Sequence, residues 1–468
     1  MVCRLAVVGV LTLVVASTAL AAERHVGPGR TYATPAEAIA AAAPGDTVLV
    51  HPPGDGVAYE GVAVRVRTPR LTIRAVGAAA VGPSAAPAVA GARLHHPFGP
   101  SVTLSGRGAA LSGVGPAGRA ILQFDPTADG CTVEGFVLAG AANGSGNAAG
   151  VRINGADDVT IRGCEIHGCD MGVMSAAGSA TDVARSQTID TCHIHHNGSA
   201  IHAGYNHNLY LGGESATVIG CRIDHATTGH NLKSRAHLTR VAACFLHDAA
   251  NRDFDLVEAS ETAAPGSDAV LLGNLIVKRP DATGNRTVVH FGADGGGMRR
   301  GTLHVAFNTI ATPFVSPVVE LSSPEGHLSA VGNVVTAGDA RQANQVFASV
   351  RAGATLARSA AIGNVLSPSF EAKFPAALSS GRAGSGIANR FDLARTGVFA
   401  DAAADDYHPR PPGTALLLPG PLAPRLSGGG TSGPTLPLDF EPRRDAGTAP
   451  RATRPAVIGA FGLAGVAE

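Results

Sequence analysis

The chain has no tryptophan, five tyrosines and four methionines in 468 residues. Without tryptophan, the flat aromatic platform on which sugar rings usually stack is weakened and would rest on tyrosines. The scarcity of aromatics, beside sixty glycines and thirty prolines, argues against a helical bundle and fits many short strands joined by turns. Charge is also scarce: 15% of residues carry one, and the formal net charge is zero. No basic field exists to gather nucleic acid or to hold an anionic membrane. An acidic ligand must therefore be caught locally. Lysine is the rarest charged residue, with Lys233, Lys278 and Lys373 the three among 36 basic side chains.

What is present begins with an export signal. Arg4 supplies a positive start, Leu5 to Val15 a short apolar run, and "STALAA" a small-residue cleavage site near Ala21 or Ala22. Residues 1–22 are thus expected to be removed from a secreted or periplasmic protein. No later segment approaches the length of a membrane-spanning helix. In "YATPAEAIAAAAPGDTVLV" one helix is marked: Thr34 as N-cap, Pro35 at its first position, Glu37 closing a capping box, and Pro44-Gly45 as the stop.

The middle of the chain repeats. "DGCTV", "IRGCEI", "IDTCHI", "VIGCRI" and "VAACFL" centre on Cys131, Cys164, Cys192, Cys221 and Cys244; "LLGNLI", "VAFNTI", "AVGNVV" and "AIGNVL" centre on Asn274, Asn308, Asn333 and Asn364. Successive centres are 33, 28, 29, 23, 30, 34, 25 and 31 residues apart, the period of a stacked solenoid. Strands of period-two alternation flank them, with Ile161, Ile166, Ile189, Ile194, Val218 and Ile223 inward. The pattern predicts an all-β, right-handed parallel β-helix over residues 23–374 with an N-terminal capping helix, and a loop-rich region over 375–468 that covers the last coils. The cysteines are expected to be packed thiols in an inward ladder, with Cys169 outside it.

These repeats, with "PGDTVLV" near the start and "DYHPRPPGTALL" and "VIGAFG" near the end, resemble the secreted right-handed β-helix proteins of the pectate-lyase-like superfamily. The repeats speak to fold far more than to chemistry.

Aligning coils by their ladder residues makes "HNLYLG" and "HNLKSR" the same strand in successive coils. Leucines point inward, so Tyr210 and Lys233 point outward; "NRDFDLVE" continues the column with Asp255, and "TVVHFG" with His290. His207, His230, Arg235 and Asp253 flank it, with Asn208, Asn231, Asp253, Tyr205 and His290 as candidate substrate-binding groups. Lysine, unlike arginine, can be deprotonated, and Arg235 two residues along would favour that loss. A polar solvated strip is the plain alternative.

Three chemistries suit the strip. β-Elimination of a uronate needs a base, a positive group at the carboxylate and an acid for the leaving oxygen: Lys233 as base, with His230 as its alternative; Arg235 as clamp; Tyr210 or His207 as acid. Glycoside hydrolysis needs two carboxyl groups, which inverting enzymes hold about 6.5–9.5 Å apart, and Asp253 with Asp255 would serve. The third is a non-catalytic module that binds a cell-surface glycan. "NLKSRAHLTRVAACFL" is similar to the lysine-bearing coil of the chondroitinase B and alginate lyase family, where Lys acts as base; the resemblance implies that role for Lys233 and allows Ca²⁺ as cofactor. Those enzymes place a catalytic arginine on the next coil, where this chain has "DFDLVE". The expected partner is an acidic polysaccharide, and the expected state a monomer.

A second polar column runs through His167, His195, Asp224 and His247, each three residues after its cysteine. His195, Asp224 and His247 are candidate transition-metal ligands, although no tight motif such as HExxH accompanies them.

Overall fold

The computed structural model describes residues 20–77, 102–114, 118–175, 183–337, 342–379, 388–393, 399–401, 406–409, 440–442 and 448–450. The expected signal therefore lies outside the described residues except for its last three. Most of the region expected over 375–468 lies outside them too.

Three long parallel sheets, of twelve, ten and ten strands, wind into a right-handed β-helix. Each coil contributes one short strand to each sheet, so every strand pairs with its equivalents in the coils before and after. The alternation read from sequence lies in register: Val159–Arg162 pairs with Gln187–Asp190, which pairs with Ser215–Ile219. Ile161, Ile189 and Val218 face the interior and are fully buried. At the N-terminus the helix Pro35–Ala41 covers the first coils; the Thr34 hydroxyl accepts from the Glu37 N–H, and the Glu37 carboxylate accepts from the Thr34 N–H. No helix among the described residues is long and apolar enough to cross a membrane.

The inward ladder sits at the corner between the twelve-stranded sheet and the sheet that holds Glu165–His167. Each backbone N–H points at the side chain one coil on: Cys164 N to Cys192 Sγ at 3.5 Å, then Cys192 to Cys221 and Cys221 to Cys244 at 3.4 Å each. Cys244 N donates to Asn274 Oδ1 at 2.9 Å, and amides continue through Asn308, Asn333 and Asn364 to Asn389. Cys131 does not belong to it. Thr160 pairs with Thr132 and Ile166 with Leu138, which puts Phe136 opposite Cys164 and Cys131 at the start of the preceding strand. The six cysteines among the described residues are all free and buried. Burial pushes the Cys131 thiol up to about 11 and Cys169 up to about 12, and it holds Cys164, Cys192 and Cys221 well above the ordinary thiol range, so they remain protonated and unreactive.

Candidate active site

The outward column predicted from the repeat is a register of the third sheet. Tyr210 pairs with Lys233, Lys233 with Asp255, Asp255 with His290 and His290 with Glu320. The strands are Leu209–Leu211, Leu232–Ser234, Phe254–Val257, Val289–Gly292 and Val319–Ser322. They are short and parallel with leucine or phenylalanine inward, which holds successive outward side chains about 4.8 Å apart.

Asp255 is the hub of the column and is almost fully buried. Its Oδ1 accepts from Arg252 Nη1 at 2.9 Å and His290 Nδ1 at 2.8 Å; its Oδ2 lies 3.2 Å from Lys233 Nζ and 3.3 Å from His230 Nε2. Burial alone would favour its neutral form, but the His290 hydrogen bond and the charges of His230, Lys233 and Arg252 hold it well below the usual carboxylate range. Behind it, His290 Nε2 meets Ser322 Oγ at 2.6 Å and Arg351 Nη2 at 3.1 Å. Asp255, His290 and Ser322 are thus linked in the order of a hydrolytic triad, yet Ser322 is fully buried. This relay positions Asp255, and the enclosed Ser322 is out of reach of a substrate.

Lys233 touches two carboxylates. Besides Asp255, its Nζ lies 2.7 Å from Asp294 Oδ2, the oxygen that also accepts from Arg235 Nη2 at 2.9 Å. Arg235 Nε donates to the Tyr210 hydroxyl at 3.0 Å, and its Nη1 to the Glu258 carbonyl. Burial works against the Arg235 charge, but the Tyr210 oxygen, Asp294 and Glu258 together raise its pKa above the ordinary value. The expectation that Arg235 is the cation pressing on Lys233 is therefore corrected: Asp294 lies between the two. Its segment is tied down by the Glu258 carboxylate, which accepts from the N–H groups of Asp294, Gly295 and Gly297. Burial opposes charge on both acids, but these amides keep Glu258 low, and Lys233 with Arg235 keeps Asp294 low.

The two histidines stack with ring centroids 4.9 Å apart, and backbone donors fix their tautomers. His207 Nδ1 accepts from His230 N at 3.1 Å, and His230 Nδ1 accepts from Arg252 N at 3.2 Å. A neutral ring then carries its proton on Nε2. Burial pushes His207 well below its usual value; it takes His230 down to about 4, with Asp255 opposing. His230 is thus committed at both nitrogens, and the alternative base role does not fit it.

Three expected substrate contacts lie elsewhere. Asn208, Asn231 and Asp253 are fully buried, because they occupy a corner where strand alternation stops. They form a second internal ladder: Asn197 Nδ2 donates to Asn208 Oδ1 at 2.9 Å, Asn208 to Asn231 at 3.0 Å and Asn231 to Asp253 at 3.2 Å. Asp253 faces Lys278 at 3.5 Å with both side chains wholly enclosed. It shares no face with Asp255, so the paired-carboxylate geometry for hydrolysis is not formed. Tyr205 is exposed on a neighbouring loop with its ring 6.3 Å from His202. Reading by coil alignment missed Asp294, Glu258, Arg252 and Arg351. Of these, Arg252 and Glu258 lay within a stretch already singled out, "NRDFDLVE", whereas Asp294 and Arg351 did not.

Calcium takes six to eight oxygen ligands, and the donors here do not fit it. Asp255 is surrounded by Lys233, Arg252, His230 and His290, Asp294 is held by two cations, and Glu258 caps backbone amides.

No protein-family model matches the sequence, and no curated protein matches it. Among solved structures it is similar to an alginate lyase from Paenibacillus sp. str. FPU-7, with 16% identity over 68% of this chain and 95% of that one and a TM-score of 0.45. It is also similar to pectate lyase Pel9A, with 13% identity, 94% and 96% coverage and a TM-score of 0.46. DFA-IIIase from Arthrobacter chlorophenolicus A6, in complex with GF2, gives 14% identity, 76% and 89% coverage and a TM-score of 0.45. Likeness at this level concerns the course of the backbone and assigns no activity.

Proposed function

We propose that the column Tyr210, Lys233, Asp255, with Arg235, is the active site of an exported polysaccharide lyase that cleaves a uronate-containing glycan by β-elimination. One observation carries the reading: Lys233 Nζ and Arg235 Nη2 already grip a carboxylate, that of Asp294, beside a tyrosine hydroxyl. A uronate carboxylate entering the same grip displaces Asp294 and brings its α-proton toward Tyr210.

The chemistry balances within these residues. The Tyr210 oxygen, as phenolate, takes the proton α to the carboxylate; the C–H electron pair becomes the new double bond and the glycosidic C–O bond breaks. The phenol then returns its proton to the leaving oxygen. Negative charge develops on the carboxylate as the proton leaves, where two fixed cations meet it, and preorganised charge of this kind is usually the largest single contribution to rate. Asp255 holds Lys233 in place, and His207, carrying its proton on Nε2, faces the strip as a neutral donor.

The lysine base implied by the family resemblance is the second reading. It is favoured by the use of lysine here in a chain that otherwise writes positive charge as arginine. The two readings part at Lys233→Arg. We would follow ultraviolet absorbance of new unsaturated uronate on alginate, pectate, chondroitin sulfate, hyaluronan and heparin. A signal that Tyr210→Phe lowers by about 10²–10⁴-fold, while Lys233→Arg keeps measurable turnover, supports the tyrosine route. Loss of all turnover in Lys233→Arg with residual turnover in Tyr210→Phe assigns the base to Lys233. Reducing ends without absorbance would mean hydrolysis. Tight glycan binding with neither signal would mean a binding module.

A further inference from the structure

The sheet next to the one that holds Lys233 carries the second polar column. Its strands Glu165–His167, His193–His195, Arg222–Asp224 and Phe245–His247 are in register, with His167 beside His195, His195 beside Asp224 and Asp224 beside His247. His196, His225 and Asp248 follow one residue later. All three hold left-handed backbone, with φ of 50°, 49° and 52°, where the preceding coil has Gly168 at 62°. Glycine adopts that conformation at little cost, and other residues do not.

The side chains converge. His225 Nδ1 lies 3.5 Å from Asp224 Oδ1, and His247 Nε2 lies 2.8 Å from Asp224 Oδ2. The ligand atoms of Asp224, His225 and His247 all fall within 4.8 Å of one another. Four ligands around zinc, each nitrogen about 2.0–2.1 Å away, stand about 3.3 Å apart. His247 is oriented from behind, its Nδ1 donating to Asp248 Oδ2 at 2.7 Å, the carboxylate–histidine arrangement that steadies metal ligands. Its Nε2 is then left buried, aimed at the Asp224 carboxylate without hydrogen-bond alignment. A lone pair facing a carboxylate at that distance requires a cation between them, a proton or a metal ion. Asp224 also accepts from Arg222 Nε at 2.6 Å and lies 3.3 Å from His193 Nε2, while Arg279 Nε reaches Asp248 at 2.6 Å. These arginines balance the two carboxylates. Asp224 and His247 are enclosed while the His225 side chain is 43% exposed, which gives an entry path from solvent.

We infer that Asp224, His225 and His247 form a binding site for a divalent transition-metal ion of the zinc class, separate from the Lys233 site. Two imidazoles and one carboxylate suit zinc, cobalt or nickel over calcium or magnesium. Of the sequence candidates, Asp224 and His247 belong to this set. His195 belongs to an adjoining set with His196 that shares Asp224.

The test uses tag-free mature protein, stripped with a chelator and titrated calorimetrically with Zn²⁺, with the Co²⁺ absorption spectrum as a second readout. The inference expects saturable binding of one Zn²⁺ per chain, tetrahedral Co²⁺ bands, and at least a tenfold loss of affinity in both His247→Gln and His225→Asn. The latter is exposed and suits left-handed backbone, so its fold, checked by circular dichroism, should be kept. Lys233→Ala should bind Zn²⁺ as the parent does. Absence of saturable binding at micromolar Zn²⁺, or binding that both histidine variants retain, would overturn it. Because no step uses the glycan site, the outcome is independent of lyase activity.

Discussion

Two polar columns stand on adjacent sheets of the same coils, and they solve the problem of exposed chemistry differently. On the sheet of the proposed active site, cations and carboxylates alternate: Lys233 between Asp255 and Asp294, Arg235 on Asp294, Arg252 on Asp255. On the neighbouring sheet, imidazoles dominate and stack ring on ring, His167 on His195 at 5.1 Å and His196 on His225 at 4.6 Å. The first arrangement, on the function proposed above, would bind an anion by exchanging one carboxylate for another. The second presents lone pairs to a cation. A solenoid can hold both because each sheet repeats its own register independently, while the buried amides of Asn208 and Asn231 tie the two, donating to the Asp224 and His247 carbonyls at 2.7 and 2.9 Å.

The contrast can be broken at its hubs. Asp255→Asn leaves Lys233, Arg252 and His290 around a neutral amide, and removing one partner of a buried charge network costs about 3–5 kcal/mol. Chemical denaturation should show a loss of that size. Next in size, Arg235→Ala removes a charge met in the transition state and should lower elimination by about 10²–10³-fold. His167→Ala, on the imidazole column, should leave turnover unchanged.

Acid should separate the columns by sign. The folded pKa of His230, about 4, lies below its ordinary 6.5, so the unfolded chain takes up a proton first and stability is lost as pH falls from 6.5 toward 4. That shift corresponds to about 3 kcal/mol, and His230→Gln should flatten this part of the stability profile. His247 is the opposite case. Burial alone would lower it, but Asp224 and Asp248 raise it above 6.5. Its contribution is therefore present below 6.5 and lost as pH rises through the folded value, a dependence that His247→Gln should remove. The smallest expected effect is at the plug: Asp294→Ala removes the internal competitor for the grip and should lower KM for the glycan by several-fold with kcat little changed.

The column itself was legible because Tyr210 and Lys233 stand the same eleven residues before ladder cysteines, and a parallel solenoid converts equal spacing into adjacency. Alternation failed where the chain turns. Asn208, Asn231 and Asp253 read as outward because they neighbour inward residues, but at the corner their amides find partners inside. Cys131 misled for a related reason, since "DGCTV" matches the motif while sitting at the head of a strand, with Phe136 in the ladder place. Asp294 was illegible because it enters from a segment, "GADGGGMRR", that carries no period. Only the fold brings it 61 positions back to Lys233.

The ladder has a consequence for how such a chain can change over evolutionary time. From Asn274 to Asn364 every rung presents the same acceptor to the coil before it and the same donors to the coil after it, and Asn389 accepts the last of them. A duplicated or deleted coil in that stretch meets an identical edge on either side. Length can therefore change by whole coils without leaving an amide unmatched, whereas a one-residue slip within a coil severs the run.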